Sequence, residues 1–342
     1  MAALLQPNQV GIREELADYI AVVDAKSTPF VSMAPKGKDL GNMTFSWQVD
    51  NYAAPQLVGV VDGTDVSSYT NPVPNRTRLS NYAQAFRRNL RVGFIAQTQN
   101  VAGVTDEVAN GISKKLIELK RDMEATFLCS NQAAVADDGT NAYLTGSLGN
   151  WLTSTNSSNI GACASGSAFA PASGAVITTA TGSITESSVQ GVLTSIYGAT
   201  GVFRDYDCIV GTTLKRAFTS LTASVTTTTA NTSTIAASSV RTFNQELSSD
   251  VYKASIDIFE GDFGRLILHP DTFIGGNNAG AFSAQAYKGY VIPMDMVEIR
   301  YSKLPEVKEL PDAGGGPIRL IQAIAGLVVK NPNGFGMFNP TS

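Results

Sequence analysis

The chain has 342 residues, of which 43% are hydrophobic, and its formal net charge is −4. This composition supplies enough apolar side chains for one or two packed domains, and the weak acidity excludes the global basic field that marks many nucleic-acid-binding proteins. One histidine and three widely spaced cysteines argue against the common catalytic triads and most zinc sites. We therefore predict no catalytic residue, no cofactor and no metal site.

The N-terminal region carries apolar residues at helical spacing, from Ile12 through Leu16 to Val23. The residue before a proline is pushed out of the α region, so the step from Thr28 to Pro29 predicts that this helix has ended. The helix is either part of an N-terminal arm or an ordinary packed helix, and the sequence favours neither.

Two strand-like runs, 43–52 and 81–94, are separated by a polar crossing at 67–80 that contains two prolines. Phe45 and Trp47 lie on one face of the first run. An isolated two-stranded hairpin is marginally stable in water and needs a further surface to cover it. The pattern therefore predicts a protruding hairpin that is covered by other copies of the chain, which makes assembly the first functional hypothesis.

A group of arginines lies at the tip and on the return strand of this predicted hairpin. One interpretation is a solvated charged face that protects strand edges from unwanted pairing. The other is a docking surface for acidic patches of neighbouring subunits, and both remain open. The predicted inter-subunit contacts are Arg76, Arg78, Arg87, Arg88 and Arg91, together with Phe45 and Trp47.

The strongest helical signal runs from 105 to 129, with Thr105 as the expected N-cap and Asp106 and Glu107 in the first turn. About 24 residues at 1.5 Å each predict a rod of roughly 36 Å. Apolar residues recur at steps of three and four, which is one continuous stripe and indicates packing against a core. The stripe consists of Val108, Ile112, Leu116, Leu119, Met123 and Phe127.

Two runs of the chain are dominated by small and polar uncharged residues. The run 139–185 contains no Asp, Glu, Lys or Arg, and its part 156–185 is predicted to form β-rich loops or an insertion. The run 221–240 has eleven Ser or Thr in twenty residues. Loops this long in a compact fold tend to be functional or mobile.

An α/β unit is predicted between these two runs, with Thr185 capping a helix, a short strand at 207–211 and a second helix at 212–221. The remaining strand patterns lie at 251–260, 264–269, 297–301 and 318–330. Helices and strands are mixed, with mostly antiparallel spacing, so the predicted fold class is α+β.

The candidates for chemistry are weak. The glycine-rich run 275–280 is not followed by the Lys-Ser/Thr of a phosphate loop, so a flexible loop is predicted. Asp137-Asp138-Gly139 indicates a turn rather than a cation site, because no ligand-spaced acids follow. His269 precedes a proline at a strand end and is interpreted as a structural histidine. A carboxylate-dependent hydrolase would need a pair such as Asp257 and Glu260, which only the residue types support.

Several stretches, taken in chain order, resemble one known family. The first are Thr28-Pro29-Phe30, Pro35-Lys36-Gly37 and Phe45-Ser46-Trp47-Gln48 to Ala53-Ala54-Pro55. They are similar to the start of tailed-bacteriophage major capsid proteins, which have the Hong Kong 97-type capsid fold. Later matches, which extend the resemblance over most of the chain, are 148–156, 189–214, Glu260-Gly261-Asp262-Phe263-Gly264 and Leu327-Val328-Val329-Lys330-Asn331-Pro332.

The resemblance implies a division into four parts, in which the runs 156–185 and 221–240 are insertions. These parts are an N-terminal arm at 1–36, an extended β-hairpin loop at 37–98, a peripheral domain at 99–148 and 295–342 with a spine helix at 105–129, and an axial domain at 149–294.

The resemblance also implies a major capsid protein that assembles as pentamers and hexamers into the icosahedral shell around phage double-stranded DNA. The implied partners are further copies of the chain, a portal, and scaffold or decoration proteins, with packaged DNA contacted non-specifically at most and no membrane. Production in the host bacterial cytoplasm and a final place in the virion are expected, and no signal-peptide pattern or bilayer-length apolar stretch speaks against this. The alternatives are another virion subunit, such as a tail-tube or decoration protein, and the carboxylate-dependent hydrolase.

Overall fold

The computed structural model describes residues 27–72, 76–99, 104–153, 169–177, 184–221, 256–276 and 287–338. The helix predicted at 12–23, most of the run 156–185 and nearly all of the run 221–240 lie outside the described residues. Among the helices that the structure describes, none is long and apolar enough to cross a membrane.

The first half of the chain contains a hairpin, a third strand and the long helix. Its elements are α1 (Pro29–Met33), β1 (Thr44–Val49), β2 (Thr77–Tyr82), β3 (Gln84–Arg91), α2 (Phe94–Thr98), α3 (Glu107–Phe127) and α4 (Leu148–Leu152).

The second half contains most of the strands and two further helices. Its elements are β4 (Val176–Ile177), α5 (Glu186–Thr200), β5 (Asp205–Val210), α6 (Thr212–Leu221), β6 (Ile258–Gly261), β7 (Gly264–Pro270), β8 (Gly289–Ile292), β9 (Val297–Leu310), β10 (Ile318–Val329) and β11 (Gly336–Phe338).

The described strands form three sheets. β1 and β2 form an antiparallel hairpin, and β3, β10 and β9 form an antiparallel sheet in that order. The six-stranded sheet has the order β4-β11-β8-β5-β7-β6, in which the β4–β11 and β5–β7 pairs are parallel and the others are antiparallel. The mixture of helices and mainly antiparallel strands confirms the predicted α+β class.

The prediction that 81–94 forms the return strand of the hairpin is wrong. Thr44 of β1 pairs with Tyr82, which is the last residue of β2, and the chain changes sheets at the fully buried Ala83. The next strand, β3, pairs with β10, beginning with Gln84 opposite Ala325. The physical reason is that alternating side chains identify a strand but not its partner, whereas burial of Phe86 of β3 against α3 fixes the pairing.

The predicted domain division stays a prediction, but the sheet assignment of two strands differs from what it implied. Residues 84–91 were predicted in the extended loop, but they lie in the sheet beneath α3. β11 was predicted in the peripheral domain, but it pairs with β4 and β8 in the six-stranded sheet. Strand pairing, which the local pattern does not contain, decides both positions.

The long helix is confirmed, with a different start. Asp106, rather than Thr105, is its N-cap, since the Asp106 carboxylate accepts hydrogen bonds from the backbone N–H groups of Val108 at 2.8 Å and Ala109 at 3.3 Å. α3 has 21 residues, which gives a length of about 31 Å. It is therefore slightly shorter than the predicted rod.

Half of the predicted apolar stripe is core. Leu119, Met123 and Phe127 are buried, and Leu116 packs against them. Val108 and Ile112 are only partly buried, so the prediction that they belong to the core is wrong. Leu90, near the end of β3, lies beside Gly111, where an added Cβ would be 3.4 Å from its side chain.

The helix predicted from Thr185 is confirmed, with Thr185 as its N-cap. The Thr185 and Ser188 side chains bond each other's backbone N–H groups, which is a reciprocal capping arrangement. The helix ends at Gly201, whose φ of 66° lies in the left-handed region. α5 and α6 cover one face of the six-stranded sheet, and the core between them includes Val192, Leu193, Leu214, Phe218, Cys208 and Leu266.

Candidate assembly interface

The segment between β1 and β2 is an extended loop whose apolar side chains are exposed. It contains no helix or strand within 50–72, and the turn at its tip has Gly63 at a φ of 77°. Apolar side chains of this size gain about 1.5–3 kcal/mol each on burial, so their clustering on one loop indicates a surface that binds another one. Tyr52, Leu57, Val58, Val60, Val61, Val66 and Tyr69 are between 70% and 102% exposed.

The base of the hairpin is buried within the subunit. Phe45 is 7% exposed, and its ring lies directly over Gly326, where an added Cβ would come within 2.5 Å of it. The Trp47 indole N–H donates to the carbonyl of Lys330 at 3.1 Å, and its ring centroid is 5.6 Å from that of Trp151. Phe45 and Trp47, which were predicted as inter-subunit contacts, thus contact their own subunit.

Asn81 anchors this base to the rest of the subunit. Its side chain is fully buried, and its Nδ2 group donates to the carbonyls of Leu327 at 2.7 Å and Gly146 at 3.2 Å. Its Oδ1 accepts from the N–H groups of Gly146 at 2.7 Å and Tyr82 at 2.9 Å. One amide therefore connects β2, β10 and the segment before α4, and residue type alone did not identify it.

The predicted arginine group is divided among separate places. Arg76 pairs with Asp50 at 3.1 Å, where the loop leaves the hairpin, and Arg78 is exposed on β2. Arg88 of β3 points at α3 instead, where its guanidinium bonds the Asp122 carboxylate at 2.5 and 2.6 Å. This bond raises the pKa of Arg88 above its ordinary value.

The other two arginines, Arg87 and Arg91, lie on the face of the β3–β10–β9 sheet that points away from α3. Cross-strand partners share a face of a sheet, so the register places residues of all three strands beside them. The hairpin base covers the end of this face near Ile324. We call the remainder the uncovered sheet face, and it consists of Arg87, Asn89, Arg91, Ile318, Leu320, Gln322, Glu306, Lys308 and Leu310.

Asp257 and Glu260, the two carboxylates considered for hydrolysis, lie beside different basic residues. Asp257 pairs with Lys215 at 2.8 Å, and Glu260 lies on β6 opposite Arg265. His269 Nε2 lies 2.9 Å from Asp207 Oδ1, which places the histidine in a side-chain pair, as its structural interpretation requires. In the part of the chain that the structure describes, no group of three or more His, Cys, Asp or Glu side chains could hold a metal ion.

The turn predicted at Asp137-Asp138-Gly139 is confirmed. The Asp138 carboxylate accepts from the backbone N–H groups of Thr140 at 2.9 Å and Asn141 at 2.6 Å. The hydrogen bonds from Asn141 lower the pKa of Asp138 to about 2. The Asp138 carboxylate therefore already accepts hydrogen bonds within the turn.

Comparison with solved structures supports a capsid fold over nearly the whole chain. A capsid structure of the cyanophage P-SCSP1u has a TM-score of 0.58, with 9% identity and coverage of 98% of this chain and 96% of that chain. The capsid of a native GTA particle has a TM-score of 0.56, with 12% identity and coverage of 97% and 96%. At these identities the likeness shows the fold alone, which is the Hong Kong 97-type fold expected from the sequence.

Sequence comparison identifies the family. The major capsid protein of Escherichia phage Phieco32 is 34% identical over 146 residues, which is 41% of this chain and 39% of that protein, so the match spans less than half of the relative. The model of the SU10 major capsid protein family matches residues 5–342. Because this match covers almost the entire sequence, the chain belongs to the SU10 major capsid protein family.

Proposed function

We propose that copies of this chain assemble as pentamers and hexamers into an icosahedral head shell that encloses phage double-stranded DNA. The observation that carries the proposal is the loop at 50–72, which exposes seven large apolar side chains on a subunit with a capsid fold. A soluble subunit gains little from such a loop unless another surface covers it. Family membership makes a second copy of the chain the expected cover.

The loop and the uncovered sheet face have complementary chemistry. The segment 50–72 contains three aspartates and no Lys or Arg. The uncovered sheet face carries Arg87, Arg91 and Lys308 around the apolar side chains of Ile318 and Leu320. We infer that the loop of one subunit lies on the uncovered sheet face of its neighbour, with apolar side chains in the middle and opposite charges at the edges.

The loop is long enough for this contact. It leaves the hairpin at Val49 and returns at Thr77, which is opposite Val49 in the register. Because the chain must run out and back, a loop of this length can project about 40 Å from the hairpin. The eight residues of β3 span about 26 Å, which is within that reach. Each contact can be individually weak, because the many contacts of a closed shell reinforce one another.

The remaining assignments follow from the same proposal. The arm at 1–36, the extended loop, the peripheral domain and the axial domain keep their proposed roles, with β3 placed in the peripheral sheet and β11 in the six-stranded sheet. A portal and scaffold or decoration proteins are the proposed partners beside further copies of the chain. Synthesis in the host cytoplasm, non-specific contact with DNA at most, and the lack of an enzymatic activity belong to the proposal as well.

Negative-stain electron microscopy of the purified chain at high concentration tests the proposal. Icosahedral shells or capsomers of five and six subunits are the expected result. Tubes with an axial repeat would contradict it and favour a tail protein. For a subunit that stays monomeric, the same experiment is repeated with the phage's own scaffold protein, and failure to assemble in both samples would also contradict the proposal.

Charge reversal at two neighbouring arginines should separate assembly from folding. R87E is expected to leave the subunit folded but to block shells, because Arg87 is exposed on the uncovered sheet face. R88E is expected to destabilise the subunit by about 1 kcal/mol, because it places a carboxylate beside Asp122 and Glu118 in a partly solvated site. Urea unfolding and electron microscopy of both variants measure the two effects.

A compensating change provides the control for Arg88. The double variant R88E/D122R restores an opposite-charge pair across β3 and α3 and should recover most of the lost stability. Normal shells from R87E would refute the proposed place of Arg87 in the interface. Equal unfolding midpoints of R88E and the unchanged protein would refute the role given to the Arg88–Asp122 pair.

A further inference from the structure

Glu124 connects the long helix to the short helix near the N-terminus. It lies in α3, is fully buried, and its two carboxylate oxygens accept from the N–H groups of Phe30 and Val31, each at 2.7 Å. These are the second and third residues of α1, and the N-cap of α1, Thr28, makes no side-chain capping bond. Glu124 therefore satisfies N–H groups of α1 that the helix itself leaves without an acceptor.

A second buried carboxyl group meets Glu124. Asp271, directly after β7, is 2% exposed, and its Oδ1 accepts from the Phe273 N–H at 2.9 Å. Its Oδ2 is buried without a hydrogen-bond donor among the described residues, and the Asp271 and Glu124 side chains are within hydrogen-bonding reach of each other. Two ionised carboxylates have no proton to share, so this contact requires that one of them is protonated.

Among the described residues, the other groups around the pair supply no full compensating charge, and only the N–H groups of Phe30 and Val31 favour the ionised form of Glu124. α1 has the sequence PFVSM and contributes no titratable side chain. Arg121, one turn earlier in α3, lies over the Phe273 ring with its guanidinium carbon 5.1 Å from the ring centroid. Asp271 is the charged group that acts on Glu124, and its negative charge favours the protonated form of Glu124.

The direction of the pKa shifts agrees with this geometry. Burial, together with the Asp271 charge, raises the pKa of Glu124 to about 8, and burial raises the pKa of Asp271. The folded subunit thus holds a proton that the unfolded chain releases near pH 4.5. Since the folded state binds more protons between pH 4.5 and about 8, the stabilising contribution of the pair falls as the pH rises through this range.

We propose that Glu124 and Asp271 share one proton, and that this proton latches α1 onto the long helix and the end of β7. Loss of the proton places two negative charges in one buried site, and release of α1 lets water reach Glu124. The latch is a property of the single subunit, so its test does not depend on shell formation.

Hydrogen–deuterium exchange on the full-length, unassembled subunit tests the latch. The protection of the amides of 30–34, corrected for the intrinsic pH dependence of exchange, is expected to fall at least tenfold between pH 6 and pH 9. In D271N the asparagine amide donates permanently to the Glu124 carboxylate, so protection should be nearly the same at both pH values. E124Q, which removes the titrating group itself, should also lose most of the pH dependence.

The control is D262N, which changes an exposed aspartate and should follow the unchanged protein. A purely structural role of the pair would lower protection equally at pH 6 and pH 9 in the variants. An unchanged protein whose protection is the same at both pH values would overturn the proposal. A full tenfold fall that persists in both D271N and E124Q would overturn it as well, because another group would then be titrating.

Discussion

Replacing Leu57, Val58, Val60 and Val61 together by serine is expected to abolish particle formation while the subunit remains folded. These side chains are 77–98% exposed in the single subunit, so removing them costs the fold almost nothing. In the proposed assembly each replacement removes about 1.5–3 kcal/mol of favourable free energy from burial of the apolar side chain. Because every 1.4 kcal/mol is a tenfold change in affinity, the concentration needed for assembly should rise at least ~100-fold. Sedimentation velocity measures this threshold, and urea unfolding measures subunit stability.

The matched control changes polar residues of the same loop. T64A/S67A/S68A alters a similar number of exposed positions without removing apolar surface, and it should assemble normally. Particles from the serine variant at the usual concentration would show that the loop is not the main contact. Failure of both variants would point to loop conformation, rather than apolar burial, as the cause.

Replacement of Asn81 by alanine is expected to cost the subunit about 3–5 kcal/mol. The change leaves the carbonyls of Leu327 and Gly146 and the Gly146 N–H without their partner in a fully buried place. Each buried polar group that loses its hydrogen bond costs about 1–3 kcal/mol, and some relaxation lowers the sum. Urea unfolding of the unassembled subunit measures the loss.

Loss of the Asn81 side chain is also expected to loosen the loop, because this residue holds the hairpin base on β10. N89A is the control, since Asn89 is an exposed asparagine on the neighbouring strand β3 and should change subunit stability by less than about 0.5 kcal/mol. A loss below about 1 kcal/mol for N81A would mean that water or a rearranged backbone replaces the amide.

Local structure was largely predictable from the residues. The N-cap of α5, the bounds of α6 and the buried half of the α3 stripe each depend on side chains within one or two turns of one another. The resemblance to capsid proteins added the family, and the family match confirmed it. The exposed apolar loop was not singled out, although its run Leu57-Val58-Gly59-Val60-Val61 outside any helical or strand pattern was a usable signal.

Positions that depend on distant partners were not predictable. Arg87 and Arg88 are adjacent in the sequence, yet one points to solvent and the other pairs with Asp122, because a strand alternates its faces and only one face meets α3. Glu124 follows Met123 at the edge of the apolar stripe, and its charge alone suggests an exposed residue. Its partners Phe30 and Asp271 are 94 and 147 positions away.

The sequence by itself determined the helices α3, α5 and α6 and the position of several strands, since periodicity indicates which side chains can be buried together. The tertiary structure decided what each face is buried against. It paired β3 with β10 instead of β1, and it left the loop at 50–72 without a cover in the single subunit. It also brought two buried carboxyl groups together at α1. Each of these depends on contacts between segments that are distant in the sequence. Such contacts contribute to the free energy only when the chain has folded.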